Sequence, residues 1–105
     1  MAQLERYMFY YIDTILEKNF KESIEVAQQM LELCEDESAP VIEGLLHAAN
    51  SLECIKMGDF DRVEELWNAY EESKKFLMPQ NRHYAILLET TLIVENTKEE
   101  IERIV

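Results

Sequence analysis

Glycine and proline each occur only twice among the 105 residues of this chain. An all-β fold needs a turn every few residues, and these two residue types form most tight turns. Apolar side chains recur instead at the three- and four-residue spacing of an amphipathic helix. We therefore predict an all-α fold and a single helical domain over residues 1–105.

The apolar spacing predicts five helices followed by a short C-terminal tail helix. The five predicted ranges are 1–18, 20–36, 39–57, 60–77 and 80–95. In the tail, Thr97 and Glu100 have the spacing of a capping box, which would open a new helix there. The β-branched residues of 85–95 also permit a strand. A lone strand would have no partner to pair with, so we predict a helix.

Residues 41–57 form the most apolar segment, with apolar side chains around most of the helix circumference. Such a helix is usually the central one, so we expect antiparallel helical hairpins packed around it. Ser38 and Asp59 can cap the starts of the third and fourth helices. Gly58 suits the left-handed position that follows the third helix, and Pro79 should end the fourth.

The fourth helix carries Phe60, Trp67 and Tyr70 at helical spacing. Large aromatic residues on one face of a helix are typical of a hydrophobic core and only seldom of a ligand site. We therefore predict that these three residues face the core.

Acidic residues outnumber basic residues by 22 to 10, which gives a net charge of −12. A nucleic-acid-binding surface needs a basic cluster that displaces counterions from phosphate, and this sequence has none. We therefore expect neither nucleic acid nor a membrane as a partner. The charge either keeps exposed helix faces solvated or suits a basic protein partner. Without a signal-peptide pattern or a long apolar run, we expect a cytoplasmic protein.

A polar stripe runs along the central helix. Glu43, His47, Asn50 and Cys54 are separated by three or four residues and therefore share one helix face. The stripe is either the solvent-facing edge of the helix or a small-molecule-binding or hydrolytic site. His47 and Cys54 would lie about 10 Å apart along the axis, too far to act on each other as base and nucleophile. The spacing therefore predicts no catalytic residue.

The chain has only two cysteines and two histidines, whereas structural zinc usually needs four converging ligands. In a hairpin that turns near Ser38, Cys34 and Cys54 would lie on the order of 18 Å apart along the axes. We expect two reduced cysteines, no metal and no cofactor. His83 stands near the start of the fifth helix and either binds an anion there or is an ordinary helix-start residue.

The first helix is apolar or aromatic at six consecutive positions, residues 7–12, which is more than one helix face can bury. The residues outside the main apolar stripe are Phe9 and Tyr10. They are covered by the tail, through Ile101, Ile104 and Val105, or form a contact surface for a protein partner, or stay exposed to water. A symmetric homodimer is the simplest such assembly, because one surface serves both subunits.

Residues 42–59, preceded by residues 20–26, resemble domain-of-unknown-function family 309, a family of small helical bacterial and archaeal proteins. Gly44 and Gly58 stand where that family has the glycines of its second helix and of the following turn. Ile24 stands where the family has a histidine, so the resemblance implies a helical fold and no activity. Residues 58–67 also resemble the second helix of a tetratricopeptide hairpin, although that family's other motifs are missing.

The sequence therefore favours a non-enzymatic helical interaction or adaptor protein, with a homodimer as one form. The alternative is a small-molecule-binding or hydrolytic protein that uses the polar stripe from Glu43 to Cys54. These hypotheses differ in whether the stripe lines a concave site or faces bulk water.

Overall fold

The structure of the protein, a computed structural model, describes residues 3–104. It contains five α-helices and one 3₁₀ turn. The helices are α1 (Gln3–Leu16), α2 (Phe20–Leu33), α3 (Ala39–Met57), α4 (Val63–Lys74) and α5 (Tyr84–Ile104), and the 3₁₀ turn (Phe60–Arg62) directly precedes α4. No strand occurs within this part of the chain, so the all-α prediction is confirmed.

The helices pack as two hairpins and one further helix. α1 pairs with α2, α3 pairs with α4, and α3 also packs on α2. The last helix, α5, lies beside α1 and runs parallel to it. At one end of this pair, Phe9 and Ala85 line the same depression, and at the other end Lys18 pairs with Glu100 at 2.6 Å.

The core is centred on α3, as its apolar composition predicts. The buried apolar side chains of α3 are Val41, Ile42, Leu45, Ala48, Ala49, Leu52 and Ile55. Tyr11 of α1 is fully buried beside them, and its hydroxyl donates a 2.7 Å hydrogen bond to the backbone carbonyl of Leu45. Burial raises the pKa of Tyr11, so the hydroxyl stays protonated and remains a donor. Because a buried hydroxyl needs a partner, this bond fixes the position of α1 on α3.

Gly44 allows α3 and α4 to approach closely. A Cβ atom placed on Gly44 would lie 2.6 Å from the Cβ of Ser73 and 3.4 Å from the backbone carbonyl oxygen of Tyr70. Carbon atoms that are not bonded to each other pack at about 3.5–4.0 Å. Any larger residue at position 44 would therefore push the two helices apart.

The first two helices end before their predicted bounds. α1 ends at Leu16, and Lys18 takes a left-handed conformation with φ 60° before Asn19 caps α2. α2 ends at Leu33, three residues before the predicted end, because Cys34 has an extended backbone with ψ 125°. Gly58 has the predicted left-handed conformation, with φ 78°, so that prediction is confirmed.

The predicted fourth helix is correct only in its middle. Phe60 lies in the 3₁₀ turn with 54% of its surface exposed, so its predicted place in the core is wrong. The side chain of Asp59 makes no capping hydrogen bond. α4 ends at Lys74, well before Pro79. The amides of Phe76 and Leu77 already donate hydrogen bonds to carbonyls three residues back, which is the pattern of a 3₁₀ turn and not of an α-helix. Proline therefore follows the end of this helix without causing it.

The prediction of a separate tail helix is wrong, because α5 runs without a break to Ile104. Thr97 is buried in the middle of α5 and packs there instead of capping a new helix. The strand alternative for residues 85–95 is also wrong. Neither glycine nor proline occurs between Tyr84 and Ile104, so nothing in the local sequence interrupts the helix. Of the remaining predicted positions, residues 1, 2 and 105 lie outside the described part.

Candidate functional site

The predicted polar stripe lies on the outer edge of α3, and the contacts of its first three members are local. The imidazole Nε2 of His47 is 3.8 Å from the carboxylate of Glu43, which is mostly exposed. The side-chain amide of Asn50 donates a 3.1 Å hydrogen bond to the backbone carbonyl of Leu46, four residues earlier. Cys54 is half-buried, and burial raises the pKa of its thiol. A protonated thiol is a poor nucleophile, so nothing in the stripe activates a nucleophile.

The structure places Phe9 and Tyr10 on different sides of α1. Tyr10 faces α2, where its hydroxyl donates a 2.8 Å hydrogen bond to the carboxylate of Glu22. Phe9 faces α5 and is 50% exposed. The tail does not cover either of them, since Ile101 and Ile104 lie at the opposite end of α1 beside Lys18. The alternative in which Ile101 and Ile104 cover them is therefore wrong, and Val105 lies outside the described residues.

An apolar depression of about 320 Å³ lies between α1 and α5. The residues that line it are Phe9, Ile12, Ala85, Ile86 and Glu89. Leu16, one turn beyond Ile12, is 57% exposed, and Leu92, one turn beyond Glu89, is 54% exposed. Residues three or four apart lie on the same side of a helix, so the two leucines extend this apolar surface along both helices. We call the depression and these two leucines together the α1–α5 face.

The sequence pattern identifies Phe9 in this surface and misses its α5 half. The apolar spacing of the fifth helix predicts one shared face for Tyr84, Leu87, Leu88, Thr91 and Leu92. The buried residues of α5 are Leu87, Thr90, Thr91, Val94, Thr97 and Ile101. Thr90 and Thr91 are buried because their hydroxyls bond to backbone carbonyls of their own helix. The predicted face is therefore right for Leu87 and Thr91 and wrong for Leu88 and Leu92, which are exposed.

A polar cluster joins the turn after α2 to the turn before α5. Asp36 accepts a 2.8 Å hydrogen bond from the amide of Ser38, and its other carboxylate oxygen is 3.5 Å from Nε2 of His83. Asn81 accepts hydrogen bonds from the Ser38 hydroxyl at 3.1 Å and from the His83 amide at 2.7 Å. Ser38, the predicted N-cap, therefore uses its hydroxyl to hold a residue 43 positions away. No spacing in the sequence indicates such a pairing.

The electrostatics of this cluster indicate a structural role, in which it connects the two turns. Burial acts to raise the pKa of Asp36, but hydrogen bonds from Ser38 and Cys34 and the nearby His83 outweigh it, so the net pKa is lowered. Burial raises the pKa of Cys34, whose thiol lies 3.4 Å from the Asp36 carboxylate and donates to it. The imidazole of His83 is buried against a carboxylate and not against the sulfur. The cluster therefore lacks a thiolate and the cysteine–histidine contact that nucleophilic catalysis requires.

Trp67 and Tyr70 pack together on the side of α4 that faces α5. Their ring centroids are 4.6 Å apart, and the ammonium of Lys98 lies 4.8 Å from the centroid of Trp67. Tyr70 is buried, whereas Trp67 is only half-buried at the edge of the core. The prediction of a core position is thus confirmed for Tyr70 and only in part for Trp67.

Within residues 3–104, no group of three or more His, Cys, Asp or Glu side chains is placed to hold a metal ion. None of the described helices combines the length and the apolar character needed to cross a bilayer. The chain matches no family model, no curated protein and no solved structure. The contacts of its own residues are therefore what bears on function.

Proposed function

We propose that this protein is a non-enzymatic helical interaction or adaptor protein that binds a protein partner through the α1–α5 face. The observation that carries the proposal is the row of exposed apolar side chains on two adjacent, rigid helices. Phe9, Leu16 and Leu92 are each at least half exposed on that row. Contiguous exposed apolar surface on a folded protein commonly marks an interaction site.

Other exposed apolar residues are placed less favourably for binding. Met57 and Phe60 lie at the turn between α3 and α4, and Phe76 and Met78 lie at the turn before α5. They are separated in the fold and form no row along a helix. The α1–α5 face is instead built on regular helices, which hold binding side chains more rigidly than turns do.

The free energy gained by burying the apolar side chains of the α1–α5 face indicates what kind of complex to expect. Burying the exposed half of each large side chain contributes about 1 kcal/mol, which is half of the value for a fully exposed one. Three such residues supply less than the ~4–15 kcal/mol lost in association. Further contacts, polar ones among them, must therefore contribute to any stable complex.

The proposal can be tested by selecting binders from a displayed library of helical peptides against the immobilised protein. The matched control target is the double variant Phe9→Glu/Leu92→Glu, whose new carboxylates lie on exposed positions and should leave the fold intact. Binders that enrich on the wild type and not on this variant support the proposal. If every enriched peptide binds both proteins equally, the α1–α5 face is not the interaction site.

A further inference from the structure

We propose that the occupant of the α1–α5 face is a single amphipathic helix whose apolar side is flanked by lysine and arginine. This inference rests on the proposed function and adds the chemical class of the partner. It is drawn from the charges around the face and from the area of the face.

Acidic side chains border the apolar row. Glu89 lines the depression itself and is exposed. Asp13 is exposed on α1 one turn after Phe9, and Glu99 is exposed on α5 two turns after Leu92. Carboxylates beside an apolar groove favour a partner that carries cations at the matching positions, since complementary charge increases both the rate and the specificity of association.

The nearby cations do not neutralise this border. Lys18 is paired with Glu100 at 2.6 Å, at the far end of α1. Arg6 and Arg82 stand before the depression, near the starts of α1 and α5 respectively. Arg103 is exposed on α5 one turn after Glu99, so the outer side of the face is acidic between Glu89 and Glu99 and not beyond. The whole chain carries a charge of −12, which attracts a basic partner over longer distances.

A second copy of the chain fits this face less well than a basic helix. In a two-fold dimer the same surface meets itself, so Asp13 and Glu89 of one copy would approach the acidic border of the other. Like charges brought together across an interface destabilise it. The charge of −12 on each copy adds to this repulsion. The homodimer that the aromatic run suggests is therefore not the occupant that the charges favour.

The area of the face also favours a small partner. The 14 residues of α1 extend for about 21 Å, and two helices packed ~10 Å apart present a surface roughly 20 Å wide. The face therefore covers at most about 400 Å², half of the ~800 Å² that each partner usually buries in a stable protein–protein complex. A single helix laid between two helices needs no larger surface, and this mode of peptide recognition recurs in proteins.

The test compares two synthetic peptides of about 18 residues, roughly five helical turns. Both carry the same leucines at positions i, i+3, i+4 and i+7, and the flanking positions are lysine in one and glutamate in the other. The leucines supply the same apolar contact in each, so a difference in affinity reports the flanking charges. We expect the lysine peptide to bind at least about tenfold more tightly at low salt, with the difference shrinking as salt screens the charges.

Two double variants test the acidic border, and a third variant, at Leu92, tests the apolar row. Asp13→Lys/Glu89→Lys should reverse the preference, and the neutral pair Asp13→Asn/Glu89→Gln should reduce it, while Leu92→Glu should weaken both peptides. Equal binding of the two peptides, or preference for the glutamate peptide, would overturn the inference. So would failure of both peptides where library selection still yields binders to the face. Reversible dimerisation of the wild type that Leu92→Glu abolishes would identify a second copy as the occupant, and would also overturn it.

Discussion

The hydroxyl of Tyr70 donates a 2.6 Å hydrogen bond to the carboxylate of Glu95, and this bond joins α4 to α5. The same carboxylate oxygen accepts a 2.7 Å bond from the ammonium of Lys74. Burial raises the pKa of Tyr70, and the Glu95 carboxylate raises it further. The hydroxyl therefore stays protonated and donates to this carboxylate. α5 carries half of the α1–α5 face, so this bond helps to position that half.

We expect Tyr70→Phe to lower the free energy of unfolding by about 1–2 kcal/mol. A hydrogen bond to a charged group contributes roughly 1.5–3 kcal/mol. Part of this free energy is retained in the variant, because Glu95 keeps its ion pair with Lys74 and is partly hydrated. Denaturant melts measure the change. Tyr84→Phe is the matched control, since the Tyr84 hydroxyl has no hydrogen-bond partner within the described residues and its removal should have little effect. Equal losses in both variants would contradict a stabilising role for the Tyr70–Glu95 bond.

Gly44→Ala should destabilise the fold by about 1–3 kcal/mol, the usual range for an extra methyl in a packed core. The loss occurs although alanine favours a helix over glycine by roughly 1 kcal/mol. The reason is the 2.6 Å separation between the new methyl and the Cβ of Ser73. Thermal and denaturant melts of Gly44→Ala, Ser73→Gly and the double variant form a double-mutant cycle. The two changes should couple favourably, and strictly additive losses would show that the helices do not meet at this point.

The helical architecture could be predicted from the sequence because it depends on local patterns. The apolar spacing of residues 39–57 predicts α3 with its observed bounds, and the left-handed Gly58 follows from the absence of a side chain. The early end of α2 adjoins a contact between distant segments. α2 stops before the turn in which the Asp36 carboxylate contacts Ser38 and His83. No local signal in the sequence predicts the contact between Asp36 and His83.

The candidate site could be predicted only in part, for a related reason. Phe9 can be identified because an unbroken apolar run exceeds one helix face. Leu92 is missed because a core assignment from the sequence follows hydrophobicity, whereas the buried positions of α5 include Thr90 and Thr97. Which face of α5 is buried depends on where α1 and α4 lie, and that information is tertiary.

Asp36→Asn should lower stability at neutral pH and lose this effect in acid. The pKa of Asp36 is lowered in the folded protein, so the ionised carboxylate stabilises the fold above its ordinary pKa of about 4. That contribution disappears as the pH falls through the lowered folded-state pKa, since both states then bind the proton. Denaturant melts from neutral to acidic pH should therefore show a gap between wild type and variant that closes below about pH 4. Asp61→Asn, at an exposed position, is the control, and an equal gap there would contradict the assignment to Asp36.

Trp67→Ala should destabilise the protein by about 2–3 kcal/mol, less than the ~3–5 kcal/mol typical of a fully buried aromatic residue. The expected loss is smaller because Trp67 is only half-buried. The substitution removes the packing of Trp67 on Tyr70 and the cation–π contact with Lys98. Phe60→Ala is the matched control, because Phe60 lines a second depression together with Trp67, between α4 and α5, but is 54% exposed. It should change stability by no more than about 0.5 kcal/mol. If Phe60→Ala lowers the free energy of unfolding more than Trp67→Ala does in the same melts, the assignment of Trp67 as the better-packed side chain is wrong.

Amide chemical-shift titration of the isotopically labelled protein with the lysine-flanked peptide tests the interaction surface most directly. We expect shifts concentrated on residues 9–16 of α1 and 85–92 of α5, and their loss in Leu92→Glu. The polar stripe on α3, from Glu43 to Cys54, lies on another surface and should not respond. Shifts centred on that stripe, or no residue-specific change at peptide concentrations up to about 1 mM, would contradict the claim that the α1–α5 face is the binding site.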